Sequence, residues 1–519
     1  MPPSSYDRLT ALDNSFLLLE RDNAYMHVAS TQIYDGSALR DRGSSIGLDQ
    51  LRKLTAASLH RIPRYRQKLS WIPFQNRAVW RDDDRFNIDY HIRHTALPRP
   101  GTDAQLKRLS ARIMQQHLDR SRPLWELWLV DGLENDRFAV ISKAHHCMID
   151  GVSGVDLLKI LMSPTPEQEI PTEPLYVPRP GPSGIDLLRD ELTRRLRLPF
   201  DAFQDIRHFV DEAQDVRREL LVRARALAET LGTTLSRTSE TPFNQTIGPH
   251  RRFDWITMDL EEVKRIHRTL GGSLNDVVLS IATGAIRRFL QHRRVDPDDI
   301  EFRIMAPVSV RSENEGGTLG NRVSAWLLDL PVDKSDPRAR LDAIRTRTSE
   351  LKKSKQAVAA SMLTQAADWG SSTLLALGAR NVTRMLPFNM VITNVPGPQL
   401  PLFTLGAKML EVFPHVPLLD NLGLGIALMS YDGKLCWGFN ADYDLVPDLA
   451  DFLKYINASY EELHALVEAV TVRRADETPA AKVVEPVSIS PVEEVSSDDP
   501  GGLTSPRAKL QSVSRVDPS

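Results

Sequence analysis

The chain has few cysteines, no strong excess of charge and no long apolar run. Its 519 residues include two cysteines, Cys147 and Cys436, which cannot build a disulfide framework and match no zinc-binding spacing. Lys+Arg 65 against Asp+Glu 68 gives a net charge of −3, so nucleic acid is not an expected partner. There is no uncharged apolar run of about 18 residues and no signal-peptide pattern. We therefore expect a cytoplasmic protein without a transmembrane helix.

The length exceeds that of one ordinary domain, since domains usually hold about 100–200 residues. Segments with strand-like and helical spacing alternate in both halves, which predicts an α/β (α+β) fold with a mixed sheet flanked by helices in each. We predict an N-terminal subdomain over 1–163, a proline-rich connector and helical linker over 164–249, a C-terminal subdomain over 250–471 and a disordered tail over 472–519. The linker could be a solvated helix between domains or a membrane-facing helix.

One segment combines titratable side chains with a turn. His145 and His146 end a strand-like run and are followed by Asp150 and Gly151. An imidazole can accept a proton near neutral pH, which activation of an alcohol requires. Neighbouring side chains on a strand point in opposite directions, so only one of the two histidines should face a cleft. We predict that His146, nearer the loop, is the general base.

The acidic residue and the glycine of this segment have predicted structural roles. Asp150 would hold the loop by pairing with backbone amides or with a buried arginine, for which Arg311 is the candidate. Gly151 would permit a turn that a side chain would hinder.

Three other interpretations of the segment remain open. The histidines could be a structural pair in an ordinary loop. A metal site is disfavoured because adjacent histidines diverge and no third ligand lies at a suitable spacing. Cys147 could act as a nucleophile with His146, although side chains of sequence neighbours seldom meet. We favour the general base and predict no metal.

Together with other segments, this motif resembles the bacterial wax ester synthase/diacylglycerol acyltransferase family. That family belongs to the superfamily that includes chloramphenicol acetyltransferase and the condensation domains of peptide synthetases. The resemblance spans about residues 7–470. The segments that carry it occur in matching order: Leu9–Glu20, Met26–Val28, Pro123–Glu126, His145–Gly151, Asn275–Asp276 and Asn394–Pro398.

The resemblance implies two chloramphenicol-acetyltransferase-like subdomains with the catalytic loop at their junction, in a tunnel open from two sides. His146 would deprotonate the hydroxyl of diacylglycerol or a long-chain alcohol, which attacks the thioester of a long-chain acyl-CoA. Acyl-CoA would be a co-substrate, and no cofactor is implied. Because these substrates are insoluble, we expect peripheral association with the inner face of the membrane and with lipid inclusions.

The other motifs each have a catalytic and a structural interpretation. Asn275 could donate to a developing oxyanion or simply begin a helix with Asp276. Pro123 and Trp125 could line the substrate tunnel or pack the core. Residues 394–398, with Asn394, Pro396 and Gly397, could line the tunnel or shape the crossover between the halves.

Two competing functions remain open. An acyltransferase of the same superfamily could use another acceptor, such as an amine or a small polar alcohol. Alternatively, the chain could be a non-catalytic lipid-binding protein that coats lipid inclusions. The intact pair of histidines argues against the second alternative.

Overall fold

The computed structural model describes residues 6–37, 47–73, 77–148, 161–193, 238–309, 323–353 and 387–477. The strands are β1 Tyr6–Arg8, β2 His27–Asp35, β3 Gln67–Trp71, β4 Ala78–Asp82, β5 Ile92–Ala96, β6 Trp125–Asp131, β7 Arg137–His145, β8 Arg251–Asp259, β9 Phe302–Ser309, β10 Val323–Leu330, β11 Met390–Val395, β12 Phe403–Thr404, β13 Ala407–His415, β14 Leu424–Tyr431 and β15 Lys434–Asp442. The helices are α1 Ala11–Leu19, α2 Leu48–Ser58, α3 Ile88–His91, α4 Asp103–Met114, α5 Leu260–Leu270, α6 Leu274–His292, α7 Pro337–Lys353 and α8 Leu449–Glu477.

The strands form two large mixed sheets and one small sheet. The first large sheet has the order β12-β13-β2-β7-β6-β5, and the second has the order β10-β9-β11-β14-β15-β8. Most neighbours are antiparallel, but β5 runs parallel to β6, and β11 runs parallel to both β9 and β14. The small sheet has the order β1-β4-β3. The predicted architecture of two mixed sheets flanked by helices is confirmed.

The first large sheet contains strands from both halves of the chain. β13 pairs antiparallel with β2, from Met409 opposite Tyr34 to His415 opposite Ala29. The predicted C-terminal subdomain contains β12 and β13, yet both strands complete the N-terminal sheet. Alternating hydrophobicity predicts a strand but carries no information about which sheet the strand joins. The two halves therefore share one sheet and lie within a single compact unit, residues 1–470.

Close packing joins the two large sheets at β13. The rings of Phe413 and Trp255 stack with centroids 4.6 Å apart, and those of His415 and Phe253 lie 3.4 Å apart. A Cβ atom at Gly438, on β15, would lie 2.0 Å from the carbonyl oxygen of Pro414. Only glycine allows the backbones of β13 and β15 to approach this closely.

Local sequence signals fix several element ends. Ser273 accepts a hydrogen bond from the Asp276 amide, and the Asp276 carboxylate accepts one from the Ser273 amide, which closes a capping box at the start of α6. Asp432 and Gly433 have φ values of 42° and 78°, as the tight hairpin between β14 and β15 requires. One boundary differs, because α8 continues to Glu477 although the tail was predicted to begin at residue 472.

We predict that Gly438→Ala lowers the free energy of unfolding by at least about 2 kcal/mol, because the backbone of β13 cannot move without disturbing the pairing with β2. Urea denaturation would measure the change. Gly248→Ala is the matched control, since its Cβ would make ordinary contacts with Asp442 and Asp444 at 3.6 Å. Equal stability of the two variants would contradict the close packing of the sheets.

Candidate active site

The two histidines of the motif lie at the end of a central strand of the first sheet. β7 ends at His145, and a short 3₁₀ helix, His146–Met148, follows it. The His145 amide donates to the carbonyl of Leu124, and the His146 amide donates to the carbonyl of Met26, at 2.9 and 2.8 Å. The segments that lead into β6 and β2 therefore fix the backbone of the pair from both sides.

The His146 ring stacks on a phenylalanine of α1. Its centroid lies 3.9 Å from that of Phe16, with 24° between the ring planes. The Nδ1 atom is buried and has no hydrogen-bond partner in the described part of the chain. Burial lowers the pKa of His146 to about 4, so the ring is neutral at pH 7 and can accept a proton.

The His145 ring has different surroundings. It is buried, its Nδ1 accepts a hydrogen bond from the Cys147 amide at 3.2 Å, and the Cys147 thiol lies 3.0 Å away. Its Nε2 lies 3.5 Å from a carboxylate oxygen of Glu20. The described contacts of His145 are therefore with groups in the protein interior, whereas the His146 side chain is partly exposed.

Glu20, the residue that caps the C-terminal end of α1, is the centre of a buried polar cluster. Besides His145, its oxygens lie 3.3 Å from Nε2 of His27, 3.7 Å from Nδ1 of His117 and 2.5 Å from a guanidinium nitrogen of Arg120. Burial alone would raise the pKa of Glu20, but the contacts with His145 and His27 lower it well below its usual value. The carboxylate is therefore ionised, and Arg120 supplies the permanent positive charge beside it.

One helix thus contacts both histidines of the motif. Phe16 covers His146, and Glu20 holds His145. Sequence analysis missed these two roles, although both residues lie in a segment that carries the family resemblance. One sequence signal was available, because Glu20 follows an apolar helical run and lies close in sequence to His27. A carboxylate that such a run carries into the interior requires a partner.

Cys147 is poorly suited to act as a nucleophile. Its side chain is fully buried, and burial raises the pKa of the thiol well above its usual value. A thiol with a raised pKa carries little thiolate at neutral pH. Within the described ranges, no group of three or more His, Cys, Asp or Glu residues is arranged to hold a metal ion.

Pro123 and Trp125 flank Leu124, whose carbonyl accepts the His145 amide, and both are buried. The Trp125 indole donates to the carbonyl of Tyr65 at 2.8 Å, and its rings stack on His91 with centroids 4.5 Å apart. The described contacts are therefore packing contacts that support the end of β7. Lining of a substrate tunnel by these residues stays a prediction.

Asn275 and Asp276 begin α6 in the second half of the chain. Asp276 is buried, and besides closing the capping box it accepts a hydrogen bond from the Thr348 hydroxyl at 2.8 Å. Asn275 is only partly buried, and no contact within the described ranges joins it to either histidine. The oxyanion role of Asn275 stays a prediction.

Residues 394–397 form the end of β11 and the turn that follows it. The Gly397 amide donates to the Ser430 hydroxyl at 3.2 Å, and a Cβ at Gly397 would lie 2.1 Å from the Ser430 carbonyl oxygen, so only glycine fits. Asn394 and Pro396 flank Val395, which packs against an apolar cluster that contains Cys147 and Met148 as well as Met429 and Tyr431 of β14.

Phe16, which stacks on His146, also packs against a buried cluster that contains Met26 of the first half and Leu418 of the second. The histidine motif therefore lies close to the junction of the two halves. Three residues of the sequence prediction, Asp150, Gly151 and Arg311, lie outside the described residues. Nothing is concluded about their proposed pairing or turn.

Comparison with known proteins identifies the class of this fold and then the family. The first condensation domain of the CDA synthetase shares the fold, with a TM-score of 0.53 at 12% identity over 89% of this chain and 97% of that chain. The wax ester synthase/diacylglycerol acyltransferase of Marinobacter aquaeolei VT8 gives a TM-score of 0.63 at 25% identity, over 89% of this chain and all of that chain.

The sequence comparison agrees. Residues 9–278 match the wax ester synthase/diacylglycerol acyltransferase catalytic domain, and residues 319–464 match the C-terminal domain of the same family. A Mycobacterium tuberculosis protein named diacylglycerol O-acyltransferase Rv1760 is 32% identical over 86% of this chain and 88% of its own length. The chain belongs to the wax ester synthase/diacylglycerol acyltransferase family and is an acyltransferase.

We predict that Glu20→Ala lowers the free energy of unfolding by roughly 2 kcal/mol. Fully buried ion pairs lose about 3–5 kcal/mol when one partner is removed, but water can partly solvate the half-exposed Arg120 and His117 in the variant. Glu134→Ala, at a carboxylate with 42% exposure, is the matched control and should change stability by less than about 0.5 kcal/mol. Urea denaturation would measure both changes. A loss of stability in Glu20→Ala no larger than that in Glu134→Ala would contradict a stabilising role for the cluster around Glu20.

Proposed function

We propose that this acyltransferase transfers the acyl group of a long-chain acyl-CoA to the hydroxyl of diacylglycerol, and also to long-chain alcohols, with His146 as general base. The observation that carries the proposal is the state of His146. Its ring is neutral, its Nδ1 has no partner within the described ranges, and Phe16 fixes its plane at the junction of the two halves. A general base for an alcohol needs these properties.

The reaction requires one proton acceptor and one leaving group. The hydroxyl of the acceptor transfers its proton to His146 while its oxygen forms a bond to the thioester carbonyl carbon. The bond between this carbon and the CoA sulfur then breaks, and the thiolate takes the proton back from the imidazolium. Because an imidazolium with a pKa of about 4 is a strong acid, proton removal and attack should occur together.

The names of two relatives support diacylglycerol and long-chain alcohols as the acyl acceptors. The Marinobacter protein is named a wax ester synthase as well as a diacylglycerol acyltransferase, and the Mycobacterium tuberculosis protein is named a diacylglycerol O-acyltransferase. Both names describe transfer to a lipid hydroxyl. We propose Pro123, Trp125, Asn394, Pro396 and Gly397 as substrate-contacting residues. The first two flank Leu124, which binds the His145 amide, and the other three adjoin Val395, which packs against the apolar cluster that contains Cys147.

Long-chain substrates require a lipid surface, so we propose peripheral association with the inner membrane and lipid inclusions. In the described part of the chain, no helix is long and apolar enough to cross a membrane.

We predict that His146→Ala reduces acyl transfer by at least about 100-fold while the protein remains folded, because proton removal by a positioned base contributes about 10²–10⁴-fold. Release of free thiol from palmitoyl-CoA in the presence of diacylglycerol would measure this. His94→Ala is the matched control, since His94 is a half-exposed histidine of β5 in the same sheet. Undiminished turnover by a folded His146→Ala variant would refute the role of His146 as general base.

The pH dependence tests the same residue without substitution. Since burial lowers the pKa of His146 to about 4, the ring stays neutral as the pH falls from about 8 to about 5, and kcat/KM should be constant over that range. Activity should then fall as His146 becomes protonated near pH 4. A fall centred near pH 6.5, the ordinary value for histidine, would show that His146 is not desolvated.

A further inference from the structure

One face of the first sheet carries a row of partly exposed side chains that begins beside His146. β2 and β7 are the two central strands of that sheet, and Ser30 on β2 lies opposite Ser142 on β7. Because side chains alternate along a strand, Ser142 lies on the same face as Ala144. Phe16, which stacks on His146, packs against the cluster that contains Ala144. The face that carries the two serines therefore continues to the His146 ring.

The part of this face nearest His146 is accessible, and the part beyond the serines is closed. Val28, Ser30 and Ser142 are partly exposed although both strands are central. Gln32 and Val140, the next opposite pair on the same face, are buried. Protein interiors contain few voids, so side chains that stay accessible on central strands indicate space for a bound molecule. We call Val28, Ser30 and Ser142 the serine row.

The two serines end a chain of hydrogen bonds. The Tyr34 hydroxyl donates to Oε1 of Gln32 at 2.7 Å, and Nε2 of Gln32 donates to the Ser30 hydroxyl at 2.9 Å. The hydroxyl oxygens of Ser30 and Ser142 lie 2.8 Å apart. Since Ser30 already accepts from Gln32, donation from Ser30 to Ser142 continues the chain in one direction. The hydroxyl hydrogen of Ser142 then has no acceptor within the described ranges and is available to a ligand.

The serine row suits a substrate group that accepts a hydrogen bond. An acyl chain offers no acceptor, so it would leave the Ser142 hydroxyl dry and unpaired, at a cost in binding free energy. Two parts of the proposed substrates carry carbonyl oxygens that accept hydrogen bonds. One is the pair of ester groups of diacylglycerol, and the other is the pair of amides in the pantetheine arm of acyl-CoA.

Distance selects between these acceptors. At about 3.3 Å per residue, Ser142 lies about 13 Å along the chain from His146. By standard bond lengths, the ester carbonyls of diacylglycerol lie within roughly 7 Å of its hydroxyl oxygen, and the inner amide of pantetheine lies roughly 5 Å from the thioester sulfur. The outer amide, the one farther from the sulfur, has its carbonyl roughly 10 Å from the sulfur. Of these groups, the outer amide reaches Ser142 while the thioester lies beside His146.

We propose that Ser142 is a specificity-determining residue that donates a hydrogen bond to the outer amide carbonyl of the pantetheine arm of acyl-CoA. Ser30 holds the Ser142 hydroxyl in place, and Val28 contacts the methylene groups between the two amides. This assignment rests on the proposed function, since it places the thioester beside His146.

Binding of two thioethers that cannot transfer an acyl group tests the proposal. S-dodecylpantetheine contains both amides, whereas S-dodecyl-N-acetylcysteamine contains only the inner one. Isothermal titration calorimetry of the full-length protein gives the dissociation constant of each compound. The preference for S-dodecylpantetheine, expressed as the ratio of the two constants, then measures the contribution of the outer amide and the groups beyond it.

Ser142→Ala should reduce this preference by roughly 3- to 10-fold, the contribution of one neutral hydrogen bond. The reduction should come from weaker binding of S-dodecylpantetheine, with unchanged binding of S-dodecyl-N-acetylcysteamine. Ser142→Val, which removes the same hydroxyl with a residue that favours strands, should give the same result. Ser70→Ala, at a partly exposed serine of β3 outside the serine row, is the matched control and should keep the wild-type preference.

Three outcomes would overturn the proposal. The first is an equal preference in wild type and Ser142→Ala. The second is a wild-type protein that binds both thioethers with the same affinity. The third is a loss of affinity for both thioethers by the same factor, because such a loss would assign Ser142 to packing rather than to recognition of the outer amide.

Failure of this proposal and failure of the proposed function are distinguishable, because thioether binding requires no turnover. In the thiol-release assay with palmitoyl-CoA, Ser142→Ala should raise KM by roughly 3- to 10-fold and leave kcat unchanged, since the hydrogen bond is present equally in the ground state and the transition state. His146→Ala should instead lower kcat and keep the wild-type preference between the two thioethers.

Discussion

The pairing of β13 with β2 is the constraint on which the rest of the structure depends. A strand from the second half of the chain completes the sheet of the first half, and β15 packs against it so closely that Gly438 has no room for a side chain. Two halves that share a sheet cannot separate without breaking its hydrogen bonds. Their junction therefore offers a fixed geometry for groups contributed by both.

At this junction, one helix organises the histidine motif. α1 presents Phe16 to His146 and Glu20 to His145, so the two neighbouring rings are held by separate contacts of different chemistry. The Cys147 amide and the Glu20 carboxylate lie at the two nitrogens of His145. The Phe16 ring lies against His146, and burial keeps that ring neutral. The arrangement keeps the His146 ring apart from the charged groups around Glu20.

Much of this organisation could be predicted from the sequence. The alternation of strand-like and helical segments predicted the two mixed sheets with their helices. The position of the two histidines at the end of a strand was the basis for choosing His146 as general base, which stays a prediction. The partners of these elements could not be predicted. Neither the transfer of β13 to the first sheet nor the convergence of Glu20, His27, His117 and Arg120 leaves a local pattern, because both depend on contacts between distant segments.

The most direct test of the account is acceptor dependence of thiol release from palmitoyl-CoA by the purified wild-type protein. We expect free CoA to appear only when diacylglycerol or a long-chain alcohol is added, with triacylglycerol or wax ester formed in equal amount. Release without any acceptor would indicate a thioesterase. Release only with an amine or a small polar alcohol would contradict a lipid acceptor and assign the same site to another branch of the superfamily.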